Sequence, residues 1–122
     1  MDGAPYPRAL VWVGTSRADL KSFPEAVRRD LGQALYAAQC GETDPAAKPL
    51  KGFGGARVME IVDRYDTNAY RAVYTARFED AVYVLHAFQK KSKSGIATPK
   101  LEMDLIRRRL ADAERFHRER QD

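Results

Sequence analysis

An α+β fold in the order β-α-α-β-β-β-α is predicted from three observations along these 122 residues. Apolar, β-branched or aromatic runs at Ala9–Val13, Ala69–Arg77 and Ala81–Phe88 have strand composition, and the chain from Ala56 to Val62 alternates in polarity. Helical spacing of apolar residues organises Glu25–Cys40 and the segment after Pro99. Short turns join the last three strands, which makes them an antiparallel meander with helices packed on a small, mostly antiparallel sheet. A single domain is expected over residues 1–122, with 1–7 as an extended lead-in and 117–122 as a frayed tail.

Each element has a local cause. Ala9–Val13 (ALVWV) is continuously apolar and closed by Gly14, the pattern of a strand buried on both faces. Thr15 and Ser16 offer an N-cap, with Asp19 in the first turn, for a short helix to about Ser22. Pro24 opens a second helix, whose stripe is Val27, Leu31, Ala34, Leu35 and Ala38 and whose stop is Gly41. The Pro/Gly-rich stretch from Glu42 to Gly55 carries Lys48 and Lys51 and reads as an irregular connection. Beyond it Arg57, Met59 and Ile61 point one way, and Val58, Glu60 and Val62 the other. Turns at Asp66–Asn68 and Glu79–Asp80 separate the last three strands. Thr98 as cap and Pro99 as first helical residue start the final helix, with Leu101, Leu105, Ile106, Leu110, Ala113 and Phe116 as its apolar stripe.

Charge is unevenly distributed. Residues 1–80 carry eleven Lys/Arg and eleven Asp/Glu, and residues 102–122 six of each, so the formal +4 resides in Lys90, Lys91, Lys93 and Lys100. No carboxylate interrupts the chain between Asp80 and Glu102. A sheet that delivers cations at its edge suits a phosphate-rich partner. A single cysteine, Cys40, excludes an intrachain disulfide and a cysteine metal cluster. The start MDGAPYPRAL has no apolar signal core, and no apolar run approaches a membrane span of about 18 residues, so a cytoplasmic protein without a membrane partner is expected.

Little in the residues favours metal or cofactor chemistry. His86 and His117 fit no ligand spacing with carboxylates, Cys40 has no histidine near it in sequence, and the GFGG at Gly52–Gly55 precedes a strand rather than a helix. No cofactor and no metal are therefore expected. What remains is a cationic set: Lys48, Lys51, Arg57, Arg64, Arg71, His86, Lys90 and Lys91. RNA is cleavable without a metal when its own 2′-hydroxyl attacks the adjacent phosphate. The protein then supplies a base, an acid and fixed cations around the developing charge. Each residue also has a plainer reading. Arg71 can cover an apolar face with its stem, His86 can be a hydrogen-bonded core histidine, Glu60 can pair with an arginine, and the lysines can be solvated loop charges. Tyr70, Tyr74 and Phe88 read as core or cross-strand residues first and as stacking platforms second.

The succession KPLKGFG, VMEIV and AYRAVYTARFEDAVYVLHAFQKKSKSGIATPKLEMDLIRRRL resembles the HigB-like, phage-derived branch of the RelE/ParE toxin superfamily, and the similarity extends from Arg8 to Arg109. The most specific part is Tyr70-Arg71 on one strand beside His86-Ala87-Phe88-Gln89-Lys90-Lys91 on the next. The resemblance implies a RelE-like fold and a type II toxin that cleaves mRNA, in many relatives only on the ribosome. It also implies a cognate antitoxin, often with a helix-turn-helix domain. By the same resemblance Lys48 and Lys51 match basic residues before or at the second strand, Arg64 and Arg71 strand-borne arginines near the scissile phosphate, and Lys90 and Lys91 basic residues after the last strand; with His86 added for its imidazole, and Arg57 and Lys93 for their charge, Lys51, Arg64, Arg71, His86 and Lys90 are candidate catalytic residues, and Lys48, Arg57, Lys91 and Lys93 candidate RNA contacts. Two alternatives keep the fold: a ParE-like toxin that inhibits DNA gyrase by binding, and a non-catalytic RNA- or partner-binding module.

Overall fold

The computed structural model describes residues 6–90 and 98–121. Its elements are β1 (Ala9–Trp12), α1 (Ser16–Lys21), α2 (Glu25–Gln39), β2 (Ala47–Pro49), a 3-10 turn (Gly54–Ala56), β3 (Val58–Tyr65), β4 (Asn68–Thr75), β5 (Ala81–Lys90) and α3 (Lys100–Gln121). The strands form one sheet in the order β1-β5-β4-β3-β2. The β3-β4-β5 meander is antiparallel as expected, and β1 joins β5 in parallel.

Both faces of the sheet are covered. On one, α1 and α2 pack Leu20, Phe23, Val27, Leu31 and Leu35 against Ile61, Tyr70, Ala72, Tyr74, Val82 and Val84. On the other, Ile106 and Ala113 of α3 meet Val58, Val73, Tyr83, Leu85 and Phe88. Period-two alternation along β3 and β4 sorts residues between these cores. The β3–β4 hairpin turns on Asp66 and Thr67, both with positive φ, and Tyr65 pairs with Asn68 across a two-residue loop of the kind that matches strand twist.

Six details differ from the sequence reading. The Ala9–Val13 run forms an edge strand, Ala9–Trp12, rather than an interior one: Ala9 is exposed, Leu10, Val11 and Trp12 are half-buried, and only Val13 beyond the strand is fully buried. The Pro/Gly stretch holds a strand, β2, in which Lys48 and Pro49 lie on the opposite sheet edge, where a proline's missing N–H is tolerated. Ser16 is the first residue of α1, not its cap, and its buried hydroxyl donates to the Val84 carbonyl. Pro24 caps α2 from outside instead of opening it. β5 runs to Lys90, so this lysine sits on the strand and not in a loop beyond it. Finally, α3 continues through Gln121 where a frayed tail was expected, because half-buried His117 packs on the Phe78 ring at 4.1 Å between centroids.

The inward face of α3 is also rotated from the predicted stripe. Leu101 is 84% exposed and Phe116 lies at the surface, whereas Glu102, Ile106, Arg109, Ala113 and His117 turn inward. These recur every three to four residues, as one helix face requires. The polar members point in because the sheet beneath them presents polar partners, described next.

Candidate RNA-binding face and acid–base network

Register decides which cations meet. Lys48 pairs with Glu60, Glu60 with Val73 and Val73 with His86, so these four form one row across β2, β3, β4 and β5. Directly opposed residues project to the same side of a sheet. Val73 belongs to the core under α3, which puts Lys48, Glu60 and His86 on the α3 side. The next row is Val62, Arg71 and Phe88, and the one after it Arg64, Ala69 and Lys90. Arg71, Arg64, Lys48 and Lys90 therefore share a face, within about 15 Å in either direction given sheet spacings near 4.8 Å across and 3.3 Å along.

His86 reaches that face through a bulge. Val73 pairs with His86 but Tyr74 with Val84, so Leu85 is an extra residue in β5. Strict alternation from Tyr83 and Leu85 would send His86 into the α2 core. With the bulge, Leu85, His86 and Phe88 all serve the α3 side. The irregularity also presents the Leu85 carbonyl to Arg109, which donates to it at 3.0 Å.

Arg71 is 4% exposed and is held by an ion pair from Nη1 to Glu60 Oε1 at 2.9 Å. The other Glu60 oxygen accepts from the Thr98 hydroxyl at 2.8 Å, which ties the start of α3 to β3. Nε of Arg71 is buried without a hydrogen-bond partner. A guanidinium so held keeps its charge and a spare donor in a place of low dielectric, which suits an anion.

His86 is buried, and its ring stacks on Phe88 at 4.8 Å and 19°. Its Nε2 meets Glu102 Oε1 at 2.6 Å and its Nδ1 faces Arg109 Nη1 at 3.4 Å. Arginine only donates, so Nδ1 accepts, and the neutral tautomer that satisfies both contacts carries its proton on Nε2 and donates to Glu102. Arg109 also donates to Thr15 Oγ1 at 3.1 Å, and Thr15 donates to Asp19 Oδ2 at 2.7 Å. Gly14 makes room for this, since a Cβ there would stand 2.7 Å from the Arg109 guanidinium.

The remaining sequence candidates separate. Lys51 is exposed in the turn after β2, beside Gly52, which approaches Met103 and Arg107 of α3. It lies toward the Val58 end of the strands, while Arg64 and Lys90 lie toward the other. Arg57 is exposed at φ 51° just ahead of the Val58 end of β3, away from Arg64 and Lys90, and near the Tyr74 phenol, which burial and Asp44 raise above its ordinary range while Arg57 and Arg8 oppose them. It is thus apart from the cationic face. Tyr70 and Tyr74 also belong to the α2 core, where Tyr70 meets Phe23 at 4.9 Å, so of the three aromatic candidates Phe88 alone joins the cations. Lys91 and Lys93 lie outside the described residues.

Thr98, Glu102 and Arg109 were missed as site residues. Glu102 and Arg109 are seven apart, two turns of one helix face, on either side of Ile106, but the leucines at 101, 105 and 110 offered a competing apolar stripe. Among the described residues no group of three or more His, Cys, Asp or Glu is arranged to hold a metal ion, and no helix is long and apolar enough to cross a membrane.

The family described as phage derived protein Gp49-like (DUF891) matches residues 18–111. No curated protein matches. Among solved structures, a chain of the toxin–antitoxin complex RelBE2 from Mycobacterium tuberculosis is similar at 21% identity and a TM-score of 0.46, over 75% of this chain and 100% of that one.

Proposed function

The chain belongs to the phage-derived Gp49-like family, and from that premise we propose that it is the toxin of a type II toxin–antitoxin module. In this reading it is a HigB-like, metal-independent endoribonuclease that cuts mRNA on the ribosome and is neutralised by a cognate antitoxin. The observation that carries the reading is the shared face of Lys48, Arg64, Arg71 and Lys90, with carboxylates and a histidine among them. The spaced cations follow an RNA backbone, and the buried charge of Arg71, anchored by Glu60, stabilises the charge on the pentacoordinate phosphorus through its field in a low-dielectric setting. The 2′-hydroxyl of the substrate is the nucleophile, so no protein nucleophile or metal-bound water is required.

The test is induction of the protein in bacteria, with transcripts mapped by primer extension on messages that have or lack a ribosome-binding site. Growth arrest with cuts only in translated messages is expected. Arg71→Met combined with Lys90→Ala abolishes both. Growth arrest with intact transcripts and damaged DNA would replace this reading by gyrase inhibition.

A further inference from the structure

We propose, resting on the endoribonuclease reading, that Glu102 is the catalytic residue that takes the substrate's proton, and that His86 and Arg109 are positioning residues acting through it. Three groups of the network on this face can exchange a proton: Glu60, His86 and Glu102. Glu60 has both oxygens occupied, one by Arg71 and one by Thr98. His86 has both ring nitrogens occupied and is 6% exposed. Glu102 keeps one oxygen, Oε2, that accepts no bond from any described residue, and its side chain is 31% exposed. It is the member with both a lone pair to offer and a path to substrate.

The setting supports the assignment. Arg71 pairs in register with Phe88, and the His86 ring lies on Phe88, so the row that carries Arg71 and the row whose His86 holds Glu102 are neighbours on this face, about 7 Å apart along the strands. In the step, Glu102 Oε2 removes the 2′-hydroxyl proton as the O2′–P bond forms. The P–O5′ bond breaks, and the departing O5′ takes a proton from water. The products are a 2′,3′-cyclic phosphate and a 5′-hydroxyl end, and Glu102 returns its proton to solvent. His86 donates to Oε1 and so aims Oε2 outward, and Arg109 holds the imidazole in the tautomer that can donate.

The experiment is single-turnover cleavage of a defined mRNA on programmed ribosomes, with RNA affinity and thermal unfolding measured on the same preparations. Glu102→Gln still accepts from His86 but is no base. Its rate is expected to fall about 10²–10⁴-fold with affinity and melting unchanged, and the acidic limb of the wild-type pH–rate profile disappears. His86→Gln, which keeps a donor near the Nε2 position, stays within about tenfold of wild type, whereas His86→Leu falls as far as Glu102→Gln. Wild-type rates in Glu102→Gln, with Arg71→Met inactive, overturn the assignment and leave the endoribonuclease reading in place. A wild-type protein that cuts no RNA overturns both.

Discussion

Removing the Glu60 carboxylate is the most informative single change for the architecture of the face. Glu60→Ala takes away the acceptor of Arg71 Nη1, at side-chain exposures of 5% for Arg71 and 12% for Glu60. A charge stranded by the loss of its buried partner costs about 3–5 kcal/mol. With an unfolding entropy near 2.1 cal/mol/K per residue, a chain of 122 residues should then melt about 12–20 °C lower. Arg71→Met is milder, about 1–2 kcal/mol, because the Glu60 left behind keeps the Thr98 hydroxyl and is nearer solvent. Arg71→Met with Glu60→Leu removes both charges and should recover to within about 1 kcal/mol of wild type, since buried pairs add little net stability over apolar side chains of similar volume. Calorimetric melting of wild type, Glu60→Leu, Arg71→Met and their combination closes a double-mutant cycle, with Glu60→Ala measured beside it. A Glu60→Ala shift under about 4 °C, or a double variant as unstable as the worse single one, refutes the claim that the pair is a buried, mutually dependent unit. If the double variant folds well and cleaves no RNA, the pair is kept for its charge and not for stability.

Other changes separate the two faces. Lys48→Ala and Arg64→Ala should each reduce the slope of log affinity against log salt for single-stranded RNA by about 0.7, and Arg57→Ala, at the far end of β3 from Arg64, should leave it unchanged; filter binding across a salt series reads this. Asp63 is pushed up to about 6, first by burial and then by the Asp30 carboxylate that shares its proton, so the folded state holds that proton more tightly than the unfolded chain does. Its contribution is therefore present below the ordinary 3.8 and lost as pH rises through about 6. Asp63→Asn should raise the melting temperature at pH 8 and leave it nearly unchanged at pH 4, by fluorescence melting. Ile106→Ala, fully buried under the helix, should cost about 2–5 kcal/mol in urea unfolding, while Leu101→Ala, on the outside of the same helix, should stay within about 0.5 kcal/mol.

What was legible in the chain, and what was not, follows from the range of the forces involved. The meander was readable because its turns and alternation are local, and α2 because Val27, Leu31, Ala34, Leu35 and Ala38 have one partner face. β2 was not, since three residues beside a proline have no period of their own and become a strand only by pairing Ala47, Lys48 and Pro49 with Ile61, Glu60 and Met59. The rotation of α3 was equally hidden. Leucine at 101 scores as core by hydrophobicity, but the face chosen is the one whose Glu102 and Arg109 meet His86, and that match exists only once the bulge at Leu85 has turned the histidine over. Arg71 and His86 stand out by residue type, but the contacts that hold them come from 11 and 16 residues away, from Glu60 and Glu102.

Read along the chain, the surplus charge belongs to the lysines between Asp80 and Glu102, which made that segment the natural binding element. In the fold, Lys100 pairs with Asp104 at 3.0 Å at the surface, and of the two described lysines of that segment Lys90 is the one on the cationic face. The other cations there, Lys48, Arg64 and Arg71, come from a stretch of sequence that is neutral overall, and Asp63, opposite Tyr70 of the α2 core, projects away from them. A sheet with period-two alternation divides a balanced strand into two unbalanced faces. The potential that a polyanion meets is set by that division, so a formal charge of +4 understates the attraction of one side and overstates that of the other.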